Sequence, residues 1–159
     1  MATQTIYINE AQFSACEAII NYTFTDKLLL LQALNATSLP ISYAGKTHAF
    51  QKNDALAVLG DTRMDAVLCR WWWDMTSPRV KAHWTKMRLD KCGNSALVEL
   101  GRELGLDKCV ISNPGTTTVS DKMLATAVEA VLGAVYLDGE EGVLEGVLRG
   151  LGFGEHGYL

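Results

Sequence analysis

The helical pattern over residues 53–74 constrains the fold of this chain more than any other feature. Apolar side chains recur there at the spacing of one helix face, yet Gly60 and Asp61 lie in the middle of the same helix. A glycine inside a helix costs about 1 kcal/mol relative to alanine, and a carboxylate beside a packed face must be hydrated, paired or bound to a cation. The pattern therefore indicates a close helix crossing beside a polar site.

A second helical segment repeats this combination. Its sequence, DKMLATAVEAVLGAVYLD, surrounds Glu129 with apolar residues and places Gly133 one turn later. In the first helix Asp54, Asp61 and Asp65 fall on related faces. Two acidic helices that converge on one point would form an oxygen-lined site for a hard cation such as Mg²⁺.

Helical periodicity also dominates the rest of the chain, and alternating strand patterns are almost absent. We therefore predict an all-α fold in a single domain, 1–159, with a core over about 11–152 and a tail over 153–159 that frays. The segments 38–52 and 107–118 carry Pro and Gly turn signals and are predicted to be loops. The predicted helices cover residues 11–21, 26–35, 53–74, 77–91, 94–104, 120–138 and 140–149.

Composition narrows the class of protein. The chain has 159 residues, 48% of them apolar, which is enough to bury a core without disulfide or metal staples and excludes disorder. Its cysteines and histidines are scattered without metal-ligand spacing, which argues against zinc and favours reduced thiols in an intracellular protein. The apolar runs are too short to span a membrane.

The formal net charge of −4 argues against a generally sticky nucleic-acid binder, so any RNA contact needs a local basic patch. The best such patch is RVKAHWTKMRLDK, over 79–91, with five cations and one acid. Two interpretations stay open: a solvated helix face, or phosphate contacts along an RNA duplex that would be strongly salt-dependent. The preceding tryptophans, 71–73, cannot share one helix face, so we expect at least one in the core and another at an interface. The candidate RNA-binding residues are Arg79, Lys81, Lys86, Arg88 and Lys91.

Four segments of the chain resemble the ribonuclease III family. NDALAVLGDTRMDAVL resembles the family's signature helix, and DKMLATAVEAVLGAVYLDG resembles its second acidic block. YTFTDKLLLLQALNATS and CGNSALVELGRELGL resemble the blocks before and between them, so the similarity runs over about 19–152. The resemblance implies an all-α, dimeric endonuclease domain whose acidic clusters bind Mg²⁺ or Mn²⁺ and hydrolyse double-stranded RNA.

The resemblance also implies four metal ligands, two on each acidic helix, of which this chain keeps half. Asp61 and Glu129 match two ligand positions, whereas Ala57 and Thr126 occupy the two where active members have carboxylates. In such a site the cation lowers the pKa of a bound water and neutralises charge on the scissile phosphate. Lys122 matches a lysine that can face the phosphate in many eukaryotic members. The implied catalytic residues are therefore Asp61, Glu129 and Lys122.

Two neighbouring positions could supplement the remaining metal ligands. Asp54 lies one helical turn from Ala57, about 5 Å along the axis, and Thr126 could hold a metal-bound water. Because Mg²⁺ binds mainly by electrostatics, the loss of two carboxylates predicts weak binding of Mg²⁺ or Mn²⁺.

Two functions follow from this site. The first is a Mg²⁺-dependent endonuclease that acts on structured or double-stranded RNA. The second is a catalytically inactive subunit of the same fold that binds RNA or a protein partner, for example on a ribosome or in a heterodimer. The missing carboxylates favour cleavage that is reduced or absent.

Two further departures from the family pattern concern assembly. Val58 stands where the family commonly has a phenylalanine that inserts into a socket on its partner. The smaller side chain weakens the expectation of a homodimer and leaves a heterodimer with a related chain open. Nothing after 152 could form the double-stranded-RNA-binding domain that many members append, so we expect weak affinity for free RNA.

Overall fold

The computed structural model of the chain describes residues 4–159, most of which lie in six α-helices. The all-α prediction is therefore confirmed. A short 3₁₀ helix, Leu106–Cys109, lies inside the predicted second loop. The α-helices are α1 (Glu10–Ile20), α2 (Lys27–Leu34), α3 (Asp54–Met75), α4 (Lys81–Cys92), α5 (Asn94–Leu104) and α6 (Asp121–Gly150).

The prediction that residues 38–52 form a loop is wrong, because they contain a β-hairpin. Strands β2 (Ile41–Tyr43) and β3 (Lys46–His48) pair antiparallel, and β1 (Ile6–Tyr7) pairs parallel to β2. Gly45 turns the hairpin with a φ of 76°, a conformation that glycine adopts without strain. Strands of two or three residues are too short to show the alternation by which strands are recognised in a sequence.

The hydrophobic core is built around the pair α3 and α6, which pack along much of their length. Aliphatic side chains from both helices are fully buried, and α2 and α5 cover the two sides of the pair. Full burial of a side chain of this size is worth about 1.5–3 kcal/mol, so this pair supplies a large share of the driving force. The largest such side chains on the two helices are Met64, Leu68, Leu124, Leu132 and Leu144.

The three consecutive tryptophans at the end of α3 divide between core and surface, which confirms the prediction that at least one of them is in the core. Trp71 and Trp72 are buried, whereas Trp73 is 53% exposed. The indole Nε1 of Trp71 donates a hydrogen bond of 2.8 Å to Glu145 on α6. This bond satisfies the polar atom of a buried ring and holds the two helices together near their far ends.

The helix predicted to restart at Ser77–Pro78 begins only at Lys81. Residues 76–80 form a turn against the end of α3 instead. The Nε of Arg79 donates to the carbonyl oxygen of Trp73 at 2.8 Å, and its guanidinium lies 4.0 Å from the centroid of that ring. A rule based on a capping serine followed by proline does not anticipate this contact, because it spans six residues.

The long helix α6 bends at Glu140, whose φ of 65° and ψ of −175° are not helical. The prediction of a helix boundary near Asp138–Gly139 is thereby confirmed. The carboxylate of Asp138 fixes the bend: it accepts hydrogen bonds from the hydroxyl of Tyr22 and from the backbone N–H groups of Thr25 and Asp26. The bend is therefore tied to the residues that begin α2.

The segment after α6 does not fray as the glycine-rich sequence predicts. Phe153 is 2% exposed, and its backbone N–H donates to the carbonyl of Leu148 at 3.0 Å. His156 contacts the carboxylate of Asp90 at 2.9 Å. One apolar anchor among the glycines thus extends the core beyond the predicted limit at 152. No helix within residues 4–159 is both long and apolar enough to cross a membrane.

Candidate functional site

The crossing of α3 and α6 is closest at two glycines. A Cβ atom added to Gly60 would lie 1.7 Å from the backbone oxygen of Glu129, and one added to Gly133 would lie 2.5 Å from the backbone oxygen of Leu56. Real Cβ atoms do not approach other heavy atoms closer than about 3.0 Å, so any side chain here would force the helices apart. The close crossing predicted from the sequence is confirmed, and it brings the segments that carry Asp61 and Glu129 together.

Glu129 lies in an unfavourable environment for a negative charge. Partial burial and the nearby carboxylates of Asp61 and Asp65 raise the pKa of Glu129 to about 7. A carboxylate with such a pKa is about half protonated at neutral pH. Asp61 and Glu129, the two retained carboxylates, are therefore close enough for the charge of one to raise the pKa of the other.

A third carboxylate, Asp65, belongs to this cluster, although the resemblance assigns it no role. Arg88 on α4 donates from Nε to the Oδ2 of Asp65 at 2.6 Å. Burial raises the pKa of Asp65, Arg88 opposes this, and the charge of Asp61 raises it further. The only available sequence signal is the spacing of one helical turn from Asp61; the pairing with a residue of α4 cannot be read from spacing within α3.

Positions 57 and 126, which lack carboxylates, determine how well the site can bind a divalent cation. Ala57 is 4% exposed, with its methyl group packed in the core, and Thr126 supplies an oxygen but no charge. In the described part of the chain, no three His, Cys, Asp or Glu side chains are arranged to hold a metal ion. Arg88 pairs with the Oδ2 of Asp65 and offsets its charge, while the Oδ1 of Asp65 is buried without a hydrogen-bond partner among the described residues. This donor set does not fit a tightly held Mg²⁺.

A groove follows α6 from Glu129 towards its first turn. The larger part, a cavity of about 680 Å³, lies between α6 and the beginning of α5, and Glu129 and Ser95 line it. The smaller part, about 220 Å³, lies at the start of α3, where Asp54 and Lys52 line it. Both parts share Lys122 and Thr126. The structure thus places Lys122 and Glu129 in one groove, with Asp54 at the far end.

Four of the five cations predicted to bind RNA make contacts inside the protein. Lys86 and Arg88 form ion pairs, whereas Arg79 and Lys91 donate to backbone carbonyls. Lys81 has no ion pair within the residues described. The five side chains therefore do not form one uncommitted basic face. Their partners are Trp73 for Arg79, Asp90 for Lys86, Asp65 for Arg88 and Gly152 for Lys91.

Val58 lies on the outside of α3, 68% exposed, two residues from the glycine crossing. An exposed valine in the second turn of a helix that otherwise contributes to the core leaves an apolar contact available at this position. This is the position at which the resemblance predicts contact with a second subunit. The side chain is accessible for such a contact in the isolated chain.

Comparison with known proteins gives consistent matches. The family model described as ribonuclease III domain matches residues 54–140. Ribonuclease 3 of Rhodopirellula baltica is 28% identical over 132 residues, which cover 81% of this chain and 47% of that protein. Ribonuclease 3 of Symbiobacterium thermophilum is 32% identical, over 86% of this chain and 58% of that protein. The chain therefore spans about half the length of the curated relatives it matches.

Solved structures of ribonuclease III nuclease domains have the same fold as this chain. A nuclease domain of ribonuclease III from Campylobacter jejuni, studied for flexibility in a region involved in dimer formation, superimposes with a TM-score of 0.73. It is 20% identical, and the alignment covers 90% of this chain and 95% of that chain. A second structure of the same domain gives a TM-score of 0.72.

Proposed function

This chain belongs to the ribonuclease III family, and on that basis we propose that it acts on structured or double-stranded RNA, with RNA cleavage strongly reduced or lost. The observation that carries the proposal is the donor set at the helix crossing. Asp61 and Glu129 are retained there, but Ala57 and Thr126 leave two ligand positions without charge. With this donor set, the chain would bind RNA without cutting it efficiently.

The electrostatics of the cluster support reduced cleavage. Hydrolysis of a phosphodiester at a metal site needs a cation that activates water and neutralises the developing charge. Half of the carboxylates that would attract this cation are missing, since Ala57 and Thr126 occupy their positions. Arg88 neutralises Asp65, the one additional carboxylate. The remaining charge favours at most weak binding of Mg²⁺ or Mn²⁺.

The groove supports a role in holding RNA. Lys122 lies in both of its parts and is placed to contact a phosphate, while Glu129 and Thr126 line the wall beside it. The exposed Val58 supports a dimer, either with a second copy or with a related chain that carries complementary carboxylates. Sedimentation with and without duplex RNA measures this stoichiometry.

A second candidate function is Mg²⁺-dependent endonucleolytic cleavage. It is favoured by the retention of Asp61 and Glu129 on the two crossing helices, because one or two carboxylates together with substrate phosphates can hold Mg²⁺. In that case the chain would cut structured RNA slowly. A heterodimer whose partner supplies the missing ligands is a third arrangement of the same fold.

A cleavage assay distinguishes these functions. The purified chain is incubated with long duplex RNA and Mg²⁺ or Mn²⁺, beside the double variant Asp61→Asn/Glu129→Gln, and binding is measured on the same samples. We expect binding without cutting for the unmodified chain. Metal-dependent cutting that disappears in the double variant would establish the endonuclease and overturn loss of cleavage. Absence of RNA binding by the unmodified chain would overturn the proposed function itself.

A further inference from the structure

Two lysines from separate segments of the chain line the smaller cavity of the groove. Lys52 precedes α3 and Lys122 lies in the first turn of α6, with Thr126 one turn further along α6. Both lysines are exposed. Across residues 4–159, neither forms an ion pair or a side-chain hydrogen bond.

Lys46, Lys81 and Lys108 also lack such partners among the described residues, but Lys52 and Lys122 are the two that line one cavity. Most of the chain's other cations are paired with a carboxylate, bonded to a carbonyl or stacked on an aromatic ring, including Arg63, which lies 4.2 Å from the ring centroid of Tyr136. Asp54 lines the same cavity, but it forms no ion pair within 4.0 Å with either lysine. Two ammonium groups and one carboxylate leave the cavity with a surplus positive charge. The ion-paired cations of the chain are Lys27, Arg70, Lys86, Arg88, Arg102 and Arg149.

The charges along the groove are therefore separated. Glu99, Asp121 and Glu129 make the larger part acidic, whereas Lys52 and Lys122 outnumber Asp54 in the smaller part. Thr126 lies between them, at a position where a carboxylate would pull the lysines into ion pairs. Because a neutral threonine stands there, the ammonium groups stay available to an anion from solution.

We infer that the cavity between Lys52 and Lys122 binds a backbone phosphate of RNA directly, without a divalent cation. The two Nζ groups would donate charge-assisted hydrogen bonds to the phosphate oxygens, and the Thr126 hydroxyl can add a neutral one. A single phosphodiester charge matches the surplus charge of the cavity. This inference rests on the proposed function. It assigns a contact with an RNA phosphate to Lys52, which belongs to none of the motifs identified in the sequence.

The test measures binding of a fluorescently labelled RNA duplex of two helical turns to the full chain by anisotropy. Each protein is titrated in EDTA and in Mg²⁺ over a series of KCl concentrations. The variants are Lys52→Met and Lys122→Met, with Lys52→Arg as the conservative replacement. Lys108→Met is the matched control, because Lys108 is also exposed and lacks an ion pair in the described chain, but lies beyond the far end of α5.

The unmodified chain should bind the duplex about equally well in EDTA and in Mg²⁺. Each methionine variant should bind severalfold more weakly in both buffers, and the slope of log K against log[salt] should fall by about one for each lysine removed. Lys52→Arg should retain most of the affinity, and Lys108→Met should behave as the unmodified chain. Circular dichroism checks that all variants are folded.

Two results would overturn the inference while leaving RNA binding intact. One is binding that requires Mg²⁺, and the other is unchanged affinity and salt slope in Lys52→Met. If the unmodified chain binds no RNA in either buffer, the proposed function fails instead, so the two failures are distinguishable.

Discussion

Gly60 on α3 rests directly on the backbone carbonyl of Glu129 on α6, with no room for a single methyl group between the helices. The glycine thus holds the two acidic helices at the distance that brings Asp61 and Glu129 into electrostatic contact. Glycine is unfavourable inside a helix, but the acidic cluster forms only because glycine allows this close approach. A variant with a methyl group at this point distinguishes two effects: alanine favours the helix, but its methyl group does not fit between the helices.

Gly60→Ala should therefore destabilise the protein by about 3 kcal/mol or more, because the added methyl group meets backbone atoms that cannot move independently. Alanine by itself would favour the helix by about 1 kcal/mol. Gly146→Ala on the exposed face of α6 is the control, since a Cβ there meets nothing within 4 Å. It should stabilise the protein slightly. Urea unfolding measures the change in the free energy of unfolding for both variants. Equal changes for Gly60→Ala and Gly146→Ala would contradict the role of Gly60 in the crossing.

Glu129→Gln should change how stability depends on pH. The folded-state pKa of Glu129 is about 7, above its value of 4.5 in an unperturbed chain, so the folded protein binds more protons between these values. This residue therefore makes the free energy of unfolding fall as pH rises from about 4.5 through about 7. Glutamine does not titrate, so the variant should gain stability relative to the unmodified chain at pH 8 compared with pH 5.

Urea unfolding at the two pH values checks this prediction. Asp61→Asn serves as a second probe, because removing the neighbouring charge should lower the pKa of Glu129 and reduce the same pH dependence. A difference between Glu129→Gln and the unmodified chain that does not vary with pH would contradict the environment described for Glu129.

Arg88→Met should leave the half-buried carboxylate of Asp65 without its partner and cost about 1–3 kcal/mol. The double variant Asp65→Asn/Arg88→Met should recover part of this loss, since no charge is then stranded. Lys86→Met, which breaks the exposed pair with Asp90, should change stability by less than about 1 kcal/mol. Thermal unfolding of the unmodified chain, Arg88→Met, Asp65→Asn and the double variant forms the required cycle; strict additivity would show that Arg88 does not act through Asp65.

Ala57→Glu combined with Thr126→Asp should restore divalent-cation binding, measured by calorimetry with Mg²⁺. Because Ala57 is packed in the core, the new glutamate should also lower the melting temperature in EDTA, and Mg²⁺ should raise it again by binding only the folded state. Thr126→Asp alone is the control and should bind Mg²⁺ more weakly than the double variant. Equal affinities would mean that position 57 does not face the cation.

Features carried by neighbouring residues could be predicted from the sequence. Asp26 and Ser120 cap their helices as predicted, with side-chain oxygens that accept from the backbone N–H groups of Leu28 at 2.9 Å and Met123 at 3.2 Å. The glycine at position 60 likewise indicates the close crossing without any structure. Each of these signals spans only a few residues, so local spacing is sufficient to detect it.

Features that depend on distant partners could not be predicted. The pairing of Arg88 with Asp65 joins residues 23 apart, and the same arginine belongs to the segment predicted as a basic RNA-binding patch. The contact of Arg79 with Trp73 replaces the predicted first turn of a helix, and Phe153 is buried although glycines surround it. In each case tertiary packing decides between two local structures that the sequence alone leaves equally acceptable.

The glycine contact between α3 and α6 has a consequence for how such a chain can change over time. Gly60 and Gly133 set the distance between α3 and α6 through backbone contact, so this distance does not depend on the carboxylates that would carry chemistry. The crossing can therefore persist where ligand carboxylates are absent, as at Ala57 and Thr126. The fold can therefore be retained after its original activity is lost, and it can then acquire a different function.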